Sequence, residues 1–171
     1  GISNPQVEWA LKQSIPVLTH GQAVGKFMQG ELLHRKFRGI SVLGCHGKTT
    51  VTAMTAIALK TLKLDPTYTV GTSEIFPGGD AGQLGSSEYF VAEADEYVSD
   101  MKFDRTVKFL YQHPEFAIIN NIDFDHPDVY KDLASVKKTF LKFCLENVVD
   151  HGKLIVNLDD KNICDILPLI K

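Results

Sequence analysis

The stretch Gly39-Ile40-Ser41-Val42-Leu43-Gly44-Cys45-His46-Gly47-Lys48-Thr49-Thr50 decides how this chain folds. A short apolar run ends in two glycines three apart, followed by a lysine, two threonines and a long alanine- and threonine-rich segment with helical spacing. Strand, tight loop and helix N-terminus follow in the order that a phosphate cradle requires. Gly44 and Gly47 let the backbone turn with its N–H groups inward, where a Cβ would block a phosphate oxygen. The positive end of the following helix adds to this, and Lys48 reaches outer phosphates as a point charge. Thr49 offers a hydroxyl where a magnesium ion bridging phosphates would sit. The loop is shorter than the usual P-loop, which has a glycine where Val42 stands here. A glycine turn capped by threonine is the bland alternative, and the strand before and helix after weigh against it.

Working outward, 171 residues are about one domain, long enough to bury a real core. With 44% apolar and 23% charged residues the composition is that of an ordinary globular chain. A net charge of -3 and the lack of a basic stripe interleaved with aromatics argue against nucleic acid as a partner. Cys45, Cys144 and Cys164 are odd in number and widely spaced, the pattern of a reduced compartment without a zinc framework. No apolar run approaches the roughly 18 residues needed to span a bilayer, so no membrane insertion is expected. The chain opens at Gly1-Ile2 and closes inside a helical pattern, and the expectation is a piece of something larger.

Asn4-Pro5 is a helix start, with Val7, Ala10 and Leu11 as its apolar face. Ile15-Pro16-Val17-Leu18 reads as a short buried strand, and a second helix is expected from about residue 22 to 33. The basic string His34-Arg35-Lys36-Phe37-Arg38 reads as a solvated helix end and linker rather than a nucleic-acid patch, with a domain boundary there. In the helix after the cradle, Val51, Met54, Ala58 and Leu62 recur at helical spacing as a core-facing stripe. Strands are expected at 67–70, 89–93, 117–121 and 153–157, a glycine-rich loop at 71–86, an amphipathic helix through Leu133, Val136, Phe140, Phe143 and Cys144, and a last helix from Asp160. Strands separated by helices predict an α/β fold with a mainly parallel sheet and helices on both faces. In such a sheet ligands gather at the carboxyl ends of the strands. Three strands end in chemically loaded residues, at 44–50, 93–96 and 120–126, and they are expected to converge on one crevice.

A nucleotide in the cradle calls for a divalent metal, and Thr49 and Glu93 fit magnesium's preference for oxygen ligands. His126 is a softer ligand than magnesium usually takes; the alternative is a histidine capping the turn before Pro127. Asp123 and Asp125 are either further ligands or solvated loop charges, and Asp128 reads as the latter. Asp95 and Glu96 cannot both face the metal of Glu93 without repulsion, so one of them is expected to orient a lysine, a water or a substrate amine. His46 either bonds to backbone within its loop or helps neutralise a transferring phosphoryl group. Clamped nucleotide without an evident serine or cysteine nucleophile points to phosphoryl transfer.

These residues together resemble the Mur ligase family, ATP-dependent amide ligases that build the peptide of bacterial peptidoglycan. Gly44-Cys-His-Gly-Lys-Thr-Thr50 resembles its ATP loop, Val91-Ala-Glu-Ala-Asp-Glu96 its acidic motif, and Asn121-Ile-Asp-Phe-Asp-His126 its Asn-Ile-x-x-Asp-His motif. The resemblance implies that ATP binds at Gly44, Cys45, His46, Gly47, Lys48, Thr49 and Thr50. It implies Thr49 and Glu93 as magnesium ligands, His126 as ligand of a second ion, and Lys48, Glu93 and His126 as the catalytic set. Residues 1–38 then correspond to the tail and linker of a UDP-binding N-terminal domain and 39–171 to a shortened central ATP-binding domain, a piece not expected to turn over alone in the bacterial cytoplasm.

The histidine-bearing loop, the acidic motif and Phe140, standing where several branches carry a carbamylated lysine, resemble the branch that joins L-alanine to UDP-N-acetylmuramate. The separation of 33 from Glu93 to His126, longer than that branch leads one to expect, and the extra stretch around Lys102 to Phe109, resemble instead the branch that attaches a whole tripeptide. A nucleotide-binding module without catalysis is the reading from another class.

Overall fold

Strand β1 (Arg38–Leu43) forms the spine of the molecule: all but its first residue are buried, and it is flanked on both sides by parallel partners. The computed structural model describes residues 4–77 and 79–170, so the opening Gly1-Ile2 lies outside the described residues. In chain order the elements are α1 (Pro5–Lys12), α2 (His20–Met28), β1, α3 (Lys48–Thr61), β2 (Thr67–Ile75), β3 (Gly79–Gln83), β4 (Tyr89–Ala94), β5 (Val98–Asp100) and β6 (Asp104–Val107). A 3₁₀ turn (Lys108–Tyr111), β7 (Phe116–Ile119), α4 (Leu133–Glu146), β8 (Lys153–Val156) and α5 (Lys161–Ile166) follow. The main sheet runs β3-β2-β4-β1-β7-β8, all parallel except β3, which pairs antiparallel with β2 at the edge.

The alternation of each strand sorts its side chains onto two covered faces. Ile40, Tyr68, Val70 and Val91 pack with Ala56 of α3 on one side. On the other, Leu43, Ala94, Ala117 and Ile119 pack with Phe109 of the 3₁₀ turn, Val136, Phe140 and Phe143 of α4, and Ile163 and Ile166 of α5. Phe109 meets Phe140 and Phe143 edge to face at 5.3 and 5.2 Å, the geometry that aromatic quadrupoles favour. The expected α/β architecture, a mainly parallel sheet with helices on both faces, is thus observed.

Several local expectations are corrected. Ile15-Pro16-Val17-Leu18 forms no strand, and Ile15, Val17 and Leu18 are exposed, because no neighbouring strand offers this run a ladder to join. Helix α2 stops at Met28 rather than 33: Gly30 takes φ +78°, the Gly30 amide donates to the Phe27 carbonyl and the Glu31 amide to that of Lys26, the paired bonds of a Schellman stop. The stripe of α3 is rotated, with Thr52 and Ala56 buried while Met54 and Leu62 are exposed. The phosphate loop sets that phase, since the helix begins directly at Lys48 and its small residues at 52 and 56 face the sheet. Much of 71–86 is not loop: β2 runs on to Ile75 and folds back as β3, a hairpin whose largely exposed faces leave little periodicity to read. The basic string is a structural anchor, with Arg35 bonded to the carbonyls of Gly85 and Ser87 and Arg38 paired bidentately with Glu115.

Candidate nucleotide and metal site

The parallel order places β4, β1 and β7 side by side, so the segments leaving their carboxyl ends, 95–97, 44–47 and 120–126, share one edge of the sheet. The convergence expected from sequence is therefore a consequence of strand order. Gly44 and Gly47 have φ +146° and +76°, values that a side chain would strain, and Gly47 caps α3 without a side-chain bond to its first-turn amides. Asn121 clasps the loop from the β7 side: its Oδ1 accepts from the His46 amide and its Nδ2 donates to the His46 carbonyl, each at 2.9 Å. The His46 ring is exposed, with Nε2 3.7 Å from Asp123 Oδ2. Cys45 is packed beneath the loop against the backbone of Asp123, and burial pushes its thiol up to about 11, so it fills space rather than reacts.

Lys48 lies folded against its own loop, Nζ donating to the Gly44 carbonyl at 2.7 Å. The same nitrogen is 2.8 Å from Oε2 of Glu96, whose side chain is only 1% exposed. Oε1 of Glu96 is 3.2 Å from His126 Nε2. Neither oxygen has a partner in hydrogen-bond alignment, so the Lys48 ammonium is the charge that offsets the burial of this carboxylate. Glu96, Asp125 and His126 bring one ligand atom each within 4.8 Å of one another, the group among the described residues that could hold a metal ion. The donor set, two carboxylates and an imidazole, suits a divalent cation, and the unbonded oxygens of Glu96 fit one.

Glu93 stands apart from that cluster. It shares the α3-facing side of β4 with Val91, half-buried, and its Oε1 accepts from the Gly71 amide at 2.7 Å. Thr49, in the first turn of α3, lies on the same side of the sheet, where a hydroxyl and a carboxylate suit magnesium. Thr50 is exposed at the helix start. Asp95 pairs with Lys108 at 2.6 Å, and Asp128 accepts from the Tyr97 hydroxyl at 2.5 Å, a bond that lowers the carboxyl and raises the phenol. Both acidic residues after Glu93 thus orient lysines, where one was expected to. Asp128, read as a free loop charge, is bonded. Tyr97 also meets the His126 ring edge to face at 5.1 Å. Asp125, left open as a ligand or a loop charge, joins the cluster, whereas reading by residue type alone missed Glu96 as a neighbour of His126. No spacing signalled this contact, because Glu96 follows the end of β4 at Ala94 and the turn there decides where its side chain goes.

A profile of the Mur ligase middle domain matches residues 42–168. The chain is 39% identical over 168 residues to the UDP-N-acetylmuramate–L-alanine ligase of Geotalea uraniireducens, covering 98% of this chain and 33% of that protein. Among solved structures it is similar to the UDP-N-acetylmuramate:L-alanyl-gamma-D-glutamyl-meso-diaminopimelate ligase of Neisseria meningitides, with TM-score 0.79, 28% identity, and 99% of this chain but 53% of that one covered. It is also similar to the UDP-N-acetylmuramate-alanine ligase of Thermotoga maritima, with TM-score 0.70, 25% identity, and coverage of 95% and 34%. The chain spans about a third of the curated relative's length. No helix among the described residues is long and apolar enough to cross a membrane.

Proposed function

Because this chain belongs to the Mur ligase middle domain family, matched over residues 42–168, we propose that it carries the ATP-binding centre of an ADP-forming amide ligase of peptidoglycan synthesis. The single observation that carries the reading is the meeting of the Gly44–Thr50 loop, the Glu93–Glu96 turn and the Asn121–His126 segment at the adjacent ends of β1, β4 and β7. In this reading residues 1–38 are the tail of a UDP-binding domain and 39–171 the central domain, acting in the bacterial cytoplasm without nucleic-acid partners.

The substrates proposed are UDP-N-acetylmuramate, L-alanine and ATP, supported by 39% identity to an L-alanine ligase. The substrate carboxylate attacks the γ-phosphate of ATP and releases ADP to give an acyl phosphate; the amine then attacks its carbonyl carbon, loses a proton and expels inorganic phosphate, leaving the amide. Lys48 and the free amides at the start of α3 hold the phosphates and oppose the charge that develops on them. Thr49 and Glu93 would hold magnesium, and His126 a second ion; these ions supply charge neutralisation at phosphate and carboxylate oxygens. The loop clasped by Asn121 fixes the phosphates before reaction, so positioning is paid in advance by the fold.

A second amine is favoured by one specific observation. The stretch between Glu93 and His126 folds into the β5–β6 hairpin and the 3₁₀ turn, and the tripeptide ligase of Neisseria meningitides matches 99% of this chain at TM-score 0.79. The tripeptide is therefore the alternative to L-alanine. Titration with ATP and magnesium tests the shared core of both readings: Lys48→Ala should abolish binding, and retained affinity in that variant would refute the assignment.

A further inference from the structure

Glu96 lies between Lys48 and His126. One oxygen faces the lysine of the phosphate loop at 2.8 Å and the other faces the His126 imidazole at 3.2 Å, with Asp125 completing the cluster. A carboxylate 1% exposed, without an aligned hydrogen bond at either oxygen, needs positive charge beside it at every stage. Its main chain is fixed, since its carbonyl accepts from the buried Tyr130 hydroxyl at 2.7 Å. Lys48, by contrast, has a long flexible stem and a competing attachment to the Gly44 carbonyl of its own loop.

We propose that Glu96 is a positioning residue that couples nucleotide binding to cation binding, by exchanging Lys48 for a divalent cation held with Asp125 and His126. The proposal rests on the nucleotide-site reading above. With the phosphate loop empty, the Lys48 ammonium beside Glu96 opposes a second positive charge on the same carboxylate. Phosphate oxygens draw Lys48 forward and leave Glu96 a buried anion whose remaining partners, Asp125 and His126, are metal ligands. The cation site is thereby strengthened when nucleotide is present, and linkage requires that the cation strengthen nucleotide binding by the same factor.

The test is Mn2+ binding, followed by the loss of the free-ion paramagnetic resonance signal, with and without a saturating non-hydrolysable ATP analogue. The ion that accompanies the nucleotide is counted as the equivalent that His126→Ala still binds. In the unaltered protein the ion lost in His126→Ala should bind about tenfold more tightly with the analogue than without it. Glu96→Gln should bring that ratio to about one while the analogue still binds, which a merely structural role for Glu96 would not do. Asp125→Asn should weaken the ion in both states and keep the ratio. A ratio of one in the unaltered protein, or an unchanged ratio in Glu96→Gln, overturns the proposal. Failure of the unaltered protein to bind the analogue at all would instead overturn the nucleotide reading on which it rests.

Discussion

The Nζ of Lys108 lies 2.6 Å from Oδ2 of Asp95, joining the start of the 3₁₀ turn to the acidic segment that leaves β4. Burial alone would raise the Asp95 carboxyl, but the Lys108 ammonium and the Tyr97 amide outweigh it and hold the group below its usual 3.8. A depressed folded pKa contributes stability that is complete above 3.8 and is lost as pH falls from there through the folded value. Asp95→Asn should therefore remove part of the acid limb. Urea unfolding at pH 7 and again below pH 3.8 should show a smaller loss of stability for the variant than for the unaltered protein, and equal losses would contradict this account.

Helix α2 meets the 3₁₀ turn through two glycines one helical turn apart. A Cβ on Gly25 would collide with the Tyr111 carbonyl oxygen and lie 2.8 Å from its carbon, both backbone atoms that cannot swing aside. Gly25→Ala should destabilise by about 1–3 kcal/mol through forced separation of the two elements. Denaturant unfolding checks this, and a gain in stability from the better helix former would refute it.

Gln112 is the hub of a buried polar chain. Its Oε1 accepts from Ser41 at 2.5 Å, its Nε2 donates to the Glu93 carbonyl at 2.7 Å, and the Gln112 main-chain carbonyl accepts from Asn147 Nδ2 at 3.0 Å. Gln112→Leu leaves the Ser41 hydroxyl and the Glu93 carbonyl without these partners, at a cost of about 1–3 kcal/mol for each buried group stranded. The pair Gln112→Leu with Ser41→Ala should recover part of that loss, and strictly additive losses in the double variant would show that the Ser41 bond contributes nothing.

Much of this architecture was legible in sequence because local chemistry and fold agree there. The run into Gly44 and Gly47 could end only in a turn, and Asn4 and Asp160 cap helices with their side chains as their residue types suggest. Where reading failed, a long-range partner or an edge decided. The exposed run at Ile15 to Leu18 has strand composition but no ladder, and the hairpin made by residues 71–74 of β2 with β3 alternates weakly because it is largely exposed. The stripe of α3 was misread because helical spacing gives a period without a phase, and the phase was set by the loop ahead of it. At the site, the three contributing strand ends were readable and their distances were not. The contact of Glu96 with Lys48 depends on how the chain turns after Ala94, which no spacing encodes.

The central claim is an ATP-dependent amide ligase, and it is tested most directly by phosphate release from the full-length protein containing this chain, supplied with UDP-N-acetylmuramate, ATP and magnesium. The account predicts release on addition of L-alanine; release only with the tripeptide would move the assignment to the alternative amine. Release with neither amine would contradict the ligase reading and leave only the family fold standing.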